Sequence, residues 1–247
     1  WLERGGSAMR YGAILAGGVG NRMKSAHIPK PFLETAGKPI IIWTLERLLK
    51  SALFDEVIIA IHPEWNDYLR TMIRDRDLDR NYVQVIDGGK ERLDSIQNVI
   101  DYIENAHGIN ADDKILIHDA VRPFVTDQIM KDSMDALDEY PAVVAAIPAT
   151  DTMLWIEEGT KVDSMPARSK LYHGQAPDSF RLQVLRDSLD SLTDAEKKTI
   201  TGTAQICLTK GIEIHTVPGD VENIKLTSDG DLMIAEGIMR ERLERDK

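Results

Sequence analysis

Short apolar runs alternate with longer amphipathic stretches from residue 11 onward. Five apolar runs have the length of buried strands, and they cover 11–16, 57–61, 82–86, 114–118 and 143–147. Between them, apolar residues recur at the helical period in 40–50, 64–76, 91–105 and 127–137. This alternation predicts βαβ units and therefore an α/β fold with a doubly wound, mostly parallel sheet. Such sheets bind ligands at the carboxyl ends of their strands, so we expect the chemistry just after Ala16, Ile86, His118 and Ile147.

The pattern changes between residues 149 and 180. This stretch holds Pro166, Pro177 and only short apolar pieces at 153–155 and 170–172, which predicts an extended β-arm at about 150–175 rather than another βαβ unit. Because so thin an arm cannot bury its own faces, we expect it to pack on a second copy and form a homodimer. The helical pattern returns at 182–192, 194–210 and 229–243, with a late strand at 212–217.

Composition narrows the classes of function. The 247 residues carry 30 Lys and Arg against 41 Asp and Glu, a formal net charge of −11, which argues against general nucleic-acid binding. No apolar run reaches the ~18 residues that span a bilayer, so no membrane partner is expected. The single cysteine, Cys207, excludes an intramolecular disulfide and favours a cytoplasmic location. We expect residues 1–8 to be a tag or disordered tail and residues 9–247 to form a single domain.

A glycine cluster follows the first apolar run. It comprises Leu15, Ala16, Gly17, Gly18 and Gly20, and it is followed by Arg22 and Lys30. Glycines directly after a strand let backbone N–H groups approach phosphates, and the two cations add positive charge. The spacing matches neither GxGxxG nor GxxxxGK[ST], and a glycine-rich turn without function is the alternative.

A second glycine pair, Gly88-Gly89, is followed by Ser95 at the start of a predicted helix. Glycines at a strand's end let a flat base lie against the backbone, and the serine supplies a hydroxyl. An ordinary helix-entry turn, with Glu91 and Asp94 facing the helix dipole, is an equally good interpretation.

Asp119 ends a predicted strand, in the sequence His118-Asp-Ala-Val-Arg-Pro-Phe124. A carboxylate there is well placed to hold Mg²⁺, which prefers oxygen ligands and substrate phosphates. Alternatively, Arg122 pairs with Asp119 as plain structure. We expect His118 to be a packed or capping residue.

Other polar residues are weaker signals when taken alone. Lys225 lies in the segment 223–227. Without a functional role, this segment would be an edge strand and Lys225 a solvated lysine on it. Asp151, Thr152 and Arg168 lie in or near the predicted arm, where surface polarity explains them equally well. Cys207 is most simply a small core residue.

In their order along the chain, these clusters resemble the polyol-phosphate cytidylyltransferases, a group that includes the methylerythritol phosphate and ribitol phosphate enzymes. Six motifs carry the resemblance, from about residue 11 to 243: Ala16-Gly-Gly-x-Gly-x-Arg-Met23, Ile28-Pro-Lys30, Gly88-Gly-x-x-Arg-x-x-Ser95, His118-Asp-Ala-x-Arg-Pro123, Asp151-Thr152 and Asn223-Ile-Lys-x-Thr227. It implies a Rossmann-like nucleotidyltransferase fold with a protruding β-arm.

Two segments look closer to the ribitol phosphate branch, namely 171–180 and 199–207. That branch implies transfer from CTP to D-ribitol 5-phosphate, giving CDP-ribitol and pyrophosphate for teichoic-acid-type cell-wall polymers. The chain departs from the branch twice, because Ala176 replaces a threonine and Gly202 replaces an aspartate. The alternatives are the methylerythritol phosphate enzyme of isoprenoid synthesis and a nucleotide-binding module without catalysis.

The resemblance also implies roles for individual residues. Lys30, Lys225 and Arg22 are implied to be catalytic, and Asp119 to bind Mg²⁺ as the cofactor. Nucleotide binding is implied for Leu15, Ala16, Gly17, Gly18, Gly20, Arg22, Lys30, Gly88, Gly89, Lys90, Arg92, Ser95 and Ala120. Contact with the polyol phosphate is implied for Asp119, Arg122, Asp151, Thr152, Arg168, Thr201 and Thr227.

Overall fold

The computed structural model describes residues 7–17 and 28–245. Its strands are β1 (Arg10–Leu15), β2 (Glu34–Thr35), β3 (Lys38–Pro39), β4 (Glu56–Ile61), β5 (Val83–Asp87), β6 (Lys114–Asp119), β7 (Ala142–Pro148), β8 (Tyr172–Arg181) and β9 (His215–Pro218). Its α-helices are α1 (Ile40–Ser51), α2 (Asn66–Arg74), α3 (Arg92–His107), α4 (Asp127–Ala136), α5 (Leu182–Asp190), α6 (Asp194–Lys197), α7 (Thr203–Thr209) and α8 (Asp229–Arg245).

Seven strands form one sheet in the order β5-β4-β1-β6-β8-β7-β9. Only β8 runs antiparallel to its neighbours, which confirms the predicted α/β class with a mostly parallel sheet. The chain leaves β1 toward β4 on one side and later places β6 on the other side. The carboxyl ends of β1 and β6, where Leu15 pairs with Asp119, therefore flank the topological switch point at which such sheets bind ligands.

Helices cover both faces of the sheet because the strands are apolar on both faces. Ile14, Ile59 and Leu116 pack under α1, α2 and α4, whereas the alternate residues Ala13 and Ile58 pack under α3, α5 and α7. A smaller cluster seats α8 on the rest of the domain. Within the described ranges, none of these helices has the length and apolar character needed to cross a membrane.

The strand β8 differs from the sequence-based expectation, which treated everything from 149 to 180 as an excursion. The structure places Tyr172–Arg181 in the sheet between β6 and β7, so the predicted arm overlaps the first residues of this strand. Pro177 and the polar residues around it hid the strand. Proline is tolerated there because pairing with β6 involves only Asp178 onward, and the register with β7 shifts between Val144 and Ala146.

The segment 150–171 lies outside the sheet. Its regular pairing is a single antiparallel bridge between Trp155 and Ser164, and most of its side chains are exposed. The expected helix at 194–210 is also divided, into α6 and α7. A capping box between Thr193 and Glu196 starts α6, and the extended Gly202 forms the N-cap of α7.

Candidate active site

A buried carboxylate stands among three cations at the carboxyl end of β6. Asp119 is the last residue of that strand, and its Oδ1 lies 2.7 Å from Nη1 of Arg92. Its Oδ2 lies 3.2 Å from Nζ of Lys225 and 3.3 Å from Nε of Arg122. Arg122 thus forms the ion pair with Asp119 that the sequence analysis gave as the alternative to a metal site. The pair is part of a larger cluster of charges.

The cations decide the charge of Asp119. Burial alone would raise the pKa of Asp119, but Arg92, Lys225 and Arg122 hold this pKa well below its usual range. The carboxylate is therefore ionised at neutral pH, and the three cations that pair with it outnumber it. In a chain of net charge −11, this local excess can attract a polyanion such as a triphosphate.

Lys225 is held by backbone contacts of its loop. Asn223 is fully buried and donates from Nδ2 to the carbonyl of Ala176 in β8 at 2.7 Å. The Asn223 carbonyl accepts from Nη1 of Arg122 at 2.8 Å, and Leu226 N–H donates to the Val121 carbonyl. The segment is an anchored loop and not the edge strand considered from the sequence, so Lys225 is fixed beside Asp119.

Lys30 approaches the same loop from the other end of the sequence. Its Nζ donates to the carbonyl of Thr227 at 3.1 Å. Asp231 stabilises this turn, because its Oδ2 accepts from both N–H and Oγ1 of Thr227 and from the N–H of Ser228. Lys30 is therefore hydrogen-bonded to the short loop that carries Lys225, although 195 positions separate the two lysines in the sequence.

The glycine motifs meet around Ser95. Gly89 N–H donates to Ser95 Oγ at 3.1 Å, and a Cβ placed on Gly17 or Gly88 would lie 3.1 Å from the same oxygen. A Cβ on Gly89 would lie 2.0 Å from the Cβ of Asp94, so only glycine fits there. These glycines therefore leave backbone without side chains beside Ser95, and we call the stretch of Gly88, Gly89 and Ser95 the slot.

A cavity of about 810 Å³ adjoins Arg92. It lies between the start of α3 and the segment 194–203, and Thr201, predicted to contact the substrate, lines it together with Thr203 and Ile200. Its volume is within the range of small-molecule sites. The cations, the slot and this cavity adjoin one another, because Arg92 pairs with Asp119 and lines the cavity, and Ser95 lies in the same helix as Arg92.

Residues 12–241 match the model of the IspD family, 2-C-methyl-D-erythritol 4-phosphate cytidylyltransferase. The chain belongs to this family. It is therefore a cytidylyltransferase, and the finer assignment to the ribitol phosphate enzyme stays a proposal. The six ordered motifs predicted the polyol-phosphate cytidylyltransferases, and the match confirms the cytidylyltransferase family.

Three solved structures of IspD-type proteins are similar to this chain over nearly the whole length of both chains. The Francisella tularensis 2-C-methyl-D-erythritol 4-phosphate cytidylyltransferase is 27% identical with a TM-score of 0.77, covering 92% of this chain and 98% of that one. The 4-diphosphocytidyl-2C-methyl-D-erythritol synthase of Anaerococcus prevotii is 20% identical with a TM-score of 0.77, covering 94% and 99%. The cytidylyltransferase of Thermus thermophilus, at 22% identity and a TM-score of 0.71 with 95% and 100% covered, likewise shows the shared fold.

Several predicted site residues of this IspD family member meet at the switch point. They are Leu15, Ala16, Gly17, Lys30, Gly88, Gly89, Arg92, Ser95, Asp119, Ala120, Arg122, Lys225 and Thr227. Lys90 is exposed beside the slot. Gly18, Gly20 and Arg22 lie outside the described residues. Asp151, Thr152 and Arg168 lie in the exposed arm, where Arg168 Nη1 donates to the Thr150 carbonyl at 3.0 Å.

The fit of Mg²⁺ can be tested on the donors present. The described parts of the chain contain no group of three or more His, Cys, Asp or Glu side chains that could hold a metal by themselves. Mg²⁺ commonly takes one or two protein carboxylates, with phosphates and water as its other ligands. Asp119 fits that pattern as a single protein ligand for an ion that arrives with a triphosphate.

The sequence analysis missed Asp178 and Thr203. Asp178 lies on β8 two register positions from the Asp119 end of β6, and burial raises its pKa to about 6, although nearby Arg92 lowers it. Thr203 is buried and accepts a 3.0 Å hydrogen bond from Nε of Arg92. No local signal in the sequence marks these two residues, because Pro177 and the polar residues around Asp178 hide the strand β8.

His118 is a packed residue, as predicted. It is fully buried, and its Nε2–H donates to the Arg122 carbonyl at 2.9 Å, which closes the turn that carries both Asp119 and Arg122. Its Nδ1 has no hydrogen-bond partner among the described residues. Burial lowers the pKa of His118 from 6.5 to about 4, so the ring is neutral at physiological pH.

This lowered pKa makes stability depend on pH. Below pH 6.5 the unfolded chain binds a proton that the folded chain refuses until about pH 4, so the free energy of unfolding should fall over that interval. The loss attributable to His118 is up to about 3 kcal/mol. Urea unfolding of the wild type and His118→Gln at several pH values measures it.

The difference between the two proteins isolates His118, since the raised pKa of Asp178 acts with the opposite sign in both. Relative to His118→Gln, the wild type should lose stability steadily from pH 6.5 to 4. Parallel curves for the two proteins over that interval would show that His118 is not buried in its neutral form.

Proposed function

We propose that this protein transfers a cytidylyl group from CTP to a polyol phosphate. The observation that carries the proposal is the cluster of Lys225, Arg92 and Arg122 around Asp119, with Lys30 hydrogen-bonded to the loop of Lys225, at the switch point and beside the slot at Gly88-Gly89. The cations suit the triphosphate, and the slot suits the cytosine. Membership of the IspD family supports CTP as the donor.

The reaction needs no covalent intermediate on the protein. A phosphate oxygen of the acceptor attacks the α-phosphorus in line, a new P–O bond forms, the bond to the β-phosphate oxygen breaks, and pyrophosphate leaves. Lys30 and Lys225 neutralise the negative charge that grows on the α-phosphate and the leaving group. Arg22, by the resemblance, joins them at the triphosphate.

Mg²⁺ bound by Asp119 and the phosphates would supply further neutralisation of the triphosphate charge. In the structure Arg92, Arg122 and Lys225 pair with the oxygens of Asp119. Asp119 would hold the ion, and these three cations would contact phosphate oxygens of the bound triphosphate. Their role is to bind and orient the triphosphate for attack.

Two acceptors are candidates, and different observations favour each. The family model and the names of the similar structures favour 2-C-methyl-D-erythritol 4-phosphate over ribitol 5-phosphate. The segments 171–180 and 199–207 favour D-ribitol 5-phosphate, because they resemble that branch. The first segment forms most of β8, and the second includes residues that line the cavity beside Arg92. The first is the better supported acceptor, and the second would place the protein in the supply of CDP-ribitol for surface polymers.

A two-acceptor assay decides between them. Pyrophosphate release from CTP and Mg²⁺ is measured with 2-C-methyl-D-erythritol 4-phosphate and with D-ribitol 5-phosphate under identical conditions. We expect the true acceptor to exceed the other by at least about tenfold in kcat/KM, the value of one well-placed hydrogen bond. If folded protein that binds CTP released no pyrophosphate with either acceptor, only the nucleotide-binding alternative would remain.

Removing either lysine should impair turnover more than CTP binding. Lys30→Ala and Lys225→Ala each remove a charge that meets the transition state, so kcat should fall about 100- to 1000-fold, or 2.7–4 kcal/mol. Lys225→Arg should not restore it, because a planar guanidinium cannot replace a compact ammonium in a crowded site. Steady-state kinetics at saturating Mg²⁺ measures both constants.

Lys131→Ala is the matched control, since Lys131 lies on the exposed side of α4 and pairs with Asp135. It should leave kcat within about twofold of the wild type. If the lysine variants lost only CTP affinity at unchanged kcat, both residues would be ground-state phosphate ligands and not catalytic.

The arm supports a homodimer as part of this proposal. Its apolar side chains are unusually exposed, among them Leu154 at 49%, Trp155 at 56% and Met165 at 67%. A single bridge cannot bury them within one chain, so a second copy is the proposed cover. By the resemblance, Arg168 of the covering arm, with Asp151 and Thr152, then faces the acceptor phosphate.

Complementation tests that composite site. Arg168→Ala and Lys225→Ala chains are each expected to be nearly inactive, whereas their mixture should recover about a quarter of the activity because one site per mixed dimer is intact. Sedimentation of the wild type at assay concentration gives the oligomeric state. A fully active monomer, or mixtures with no recovery, would refute the shared site.

A further inference from the structure

A second carboxylate, that of Asp178, lies near Arg92 and Asp119. Neither the six motifs of the resemblance nor the roles proposed above include it. Asp178 lies on β8 in register with Ile117, one strand away from the end of β6. Its carboxylate interacts with the Thr203 hydroxyl and with the backbone N–H of Ala204, at the start of α7.

Thr203 links this carboxylate to Arg92. Its buried Oγ1 accepts from Nε of Arg92 at 3.0 Å, so its own proton is available to Asp178. Arg92 in turn donates from Nη1 to Asp119 at 2.7 Å. One polar chain therefore runs from Asp178 through Thr203 and Arg92 to Asp119. In this chain Arg92 donates at both of its contacts, whereas Thr203 accepts from Arg92 and donates to Asp178.

The link matters because Arg92 is held from two directions, by Asp119 and by Thr203. Its side chain is about one-third exposed, at 32%, and borders the open cavity on one side. An arginine there has many rotamers, and two hydrogen bonds in different directions restrict them. Asp178 also adds a negative charge near the guanidinium, since Arg92 lowers the pKa of Asp178.

We propose that Asp178 is a positioning residue that holds Arg92, through Thr203, in the orientation that receives the nucleotide triphosphate. It does not touch the substrate, and its effect on the reaction passes through Arg92. This inference rests on the proposed function for the identity of the ligand. The polar chain itself is a property of the folded protein without ligand.

CTP binding to single variants is the first test. Calorimetry with CTP and Mg²⁺, without acceptor, should show about tenfold weaker binding for Asp178→Ala and for Thr203→Val. Thr203→Ser keeps the hydroxyl and should stay within about twofold of the wild type. If Asp178→Ala fails to fold, the isosteric Asp178→Asn together with Thr203→Val carries the same comparison. Unchanged affinity in the folded variants would overturn the proposal.

A double-mutant cycle separates positioning from a general structural role. Once Arg92 is replaced in Arg92→Met, adding Asp178→Ala should change CTP affinity by less than about twofold. If Asp178→Ala weakens CTP binding equally in both backgrounds, it acts independently of Arg92 and the proposal is wrong. The steady-state constants should agree, with KM for CTP raised and kcat little changed.

The same cycle in urea unfolding distinguishes this inference from the proposed function. If the wild type binds no CTP, the proposed function fails, and the unfolding free energies still report on the chain. Coupling between positions 178 and 92 that disappears in the Thr203→Val background supports the polar chain. Additive effects of the two substitutions would refute it.

Discussion

The site depends on the ionised Asp119 and the three cations that hold it. Burying a carboxylate costs free energy unless partners compensate, and here Arg92, Arg122 and Lys225 all lie within 3.3 Å of its oxygens. In return the carboxylate allows three like charges to stand together without a ligand. Asp119 thereby keeps a cluster of cations together in a protein whose net charge is −11. A phosphate group can then take the place of Asp119 for one or more of these cations.

The cations come from distant parts of the sequence, so the fold must bring them together. The sheet supplies the frame, since the parallel pairing of β1 and β6 sets Leu15 opposite Asp119 at the switch point. The loop of Lys225 is attached to that frame through Asn223, which contacts β8, and through Leu226, which contacts the turn after β6. Rigid loops of this kind keep charges close together before the ligand binds, which lowers the cost of reorganisation.

The fold class could be predicted because its signals are local, whereas the roles of Lys225 and Arg92 were implied only by the family resemblance. Apolar runs mark β1, β5 and β6, and glycines follow the first two, so Gly17, Gly88 and Asp119 were expected at one edge of the sheet. The strand β8 could not be predicted in this way, since Pro177 is tolerated only where the pairing with β7 is irregular. The contacts of Asp178 with Thr203 depend on that hidden strand and on the break before α7, so they were invisible too.

The most direct measurement is a crystal structure of the protein with CTP and Mg²⁺ in the absence of acceptor. The account predicts the cytosine in the slot at Gly88-Gly89, and the α-phosphate within about 3 Å of the Lys30 and Lys225 ammonium groups. Arg92 should contact a phosphate while keeping its hydrogen bond to Thr203. A triphosphate bound elsewhere, with Asp119 still paired to all three cations, would contradict the account.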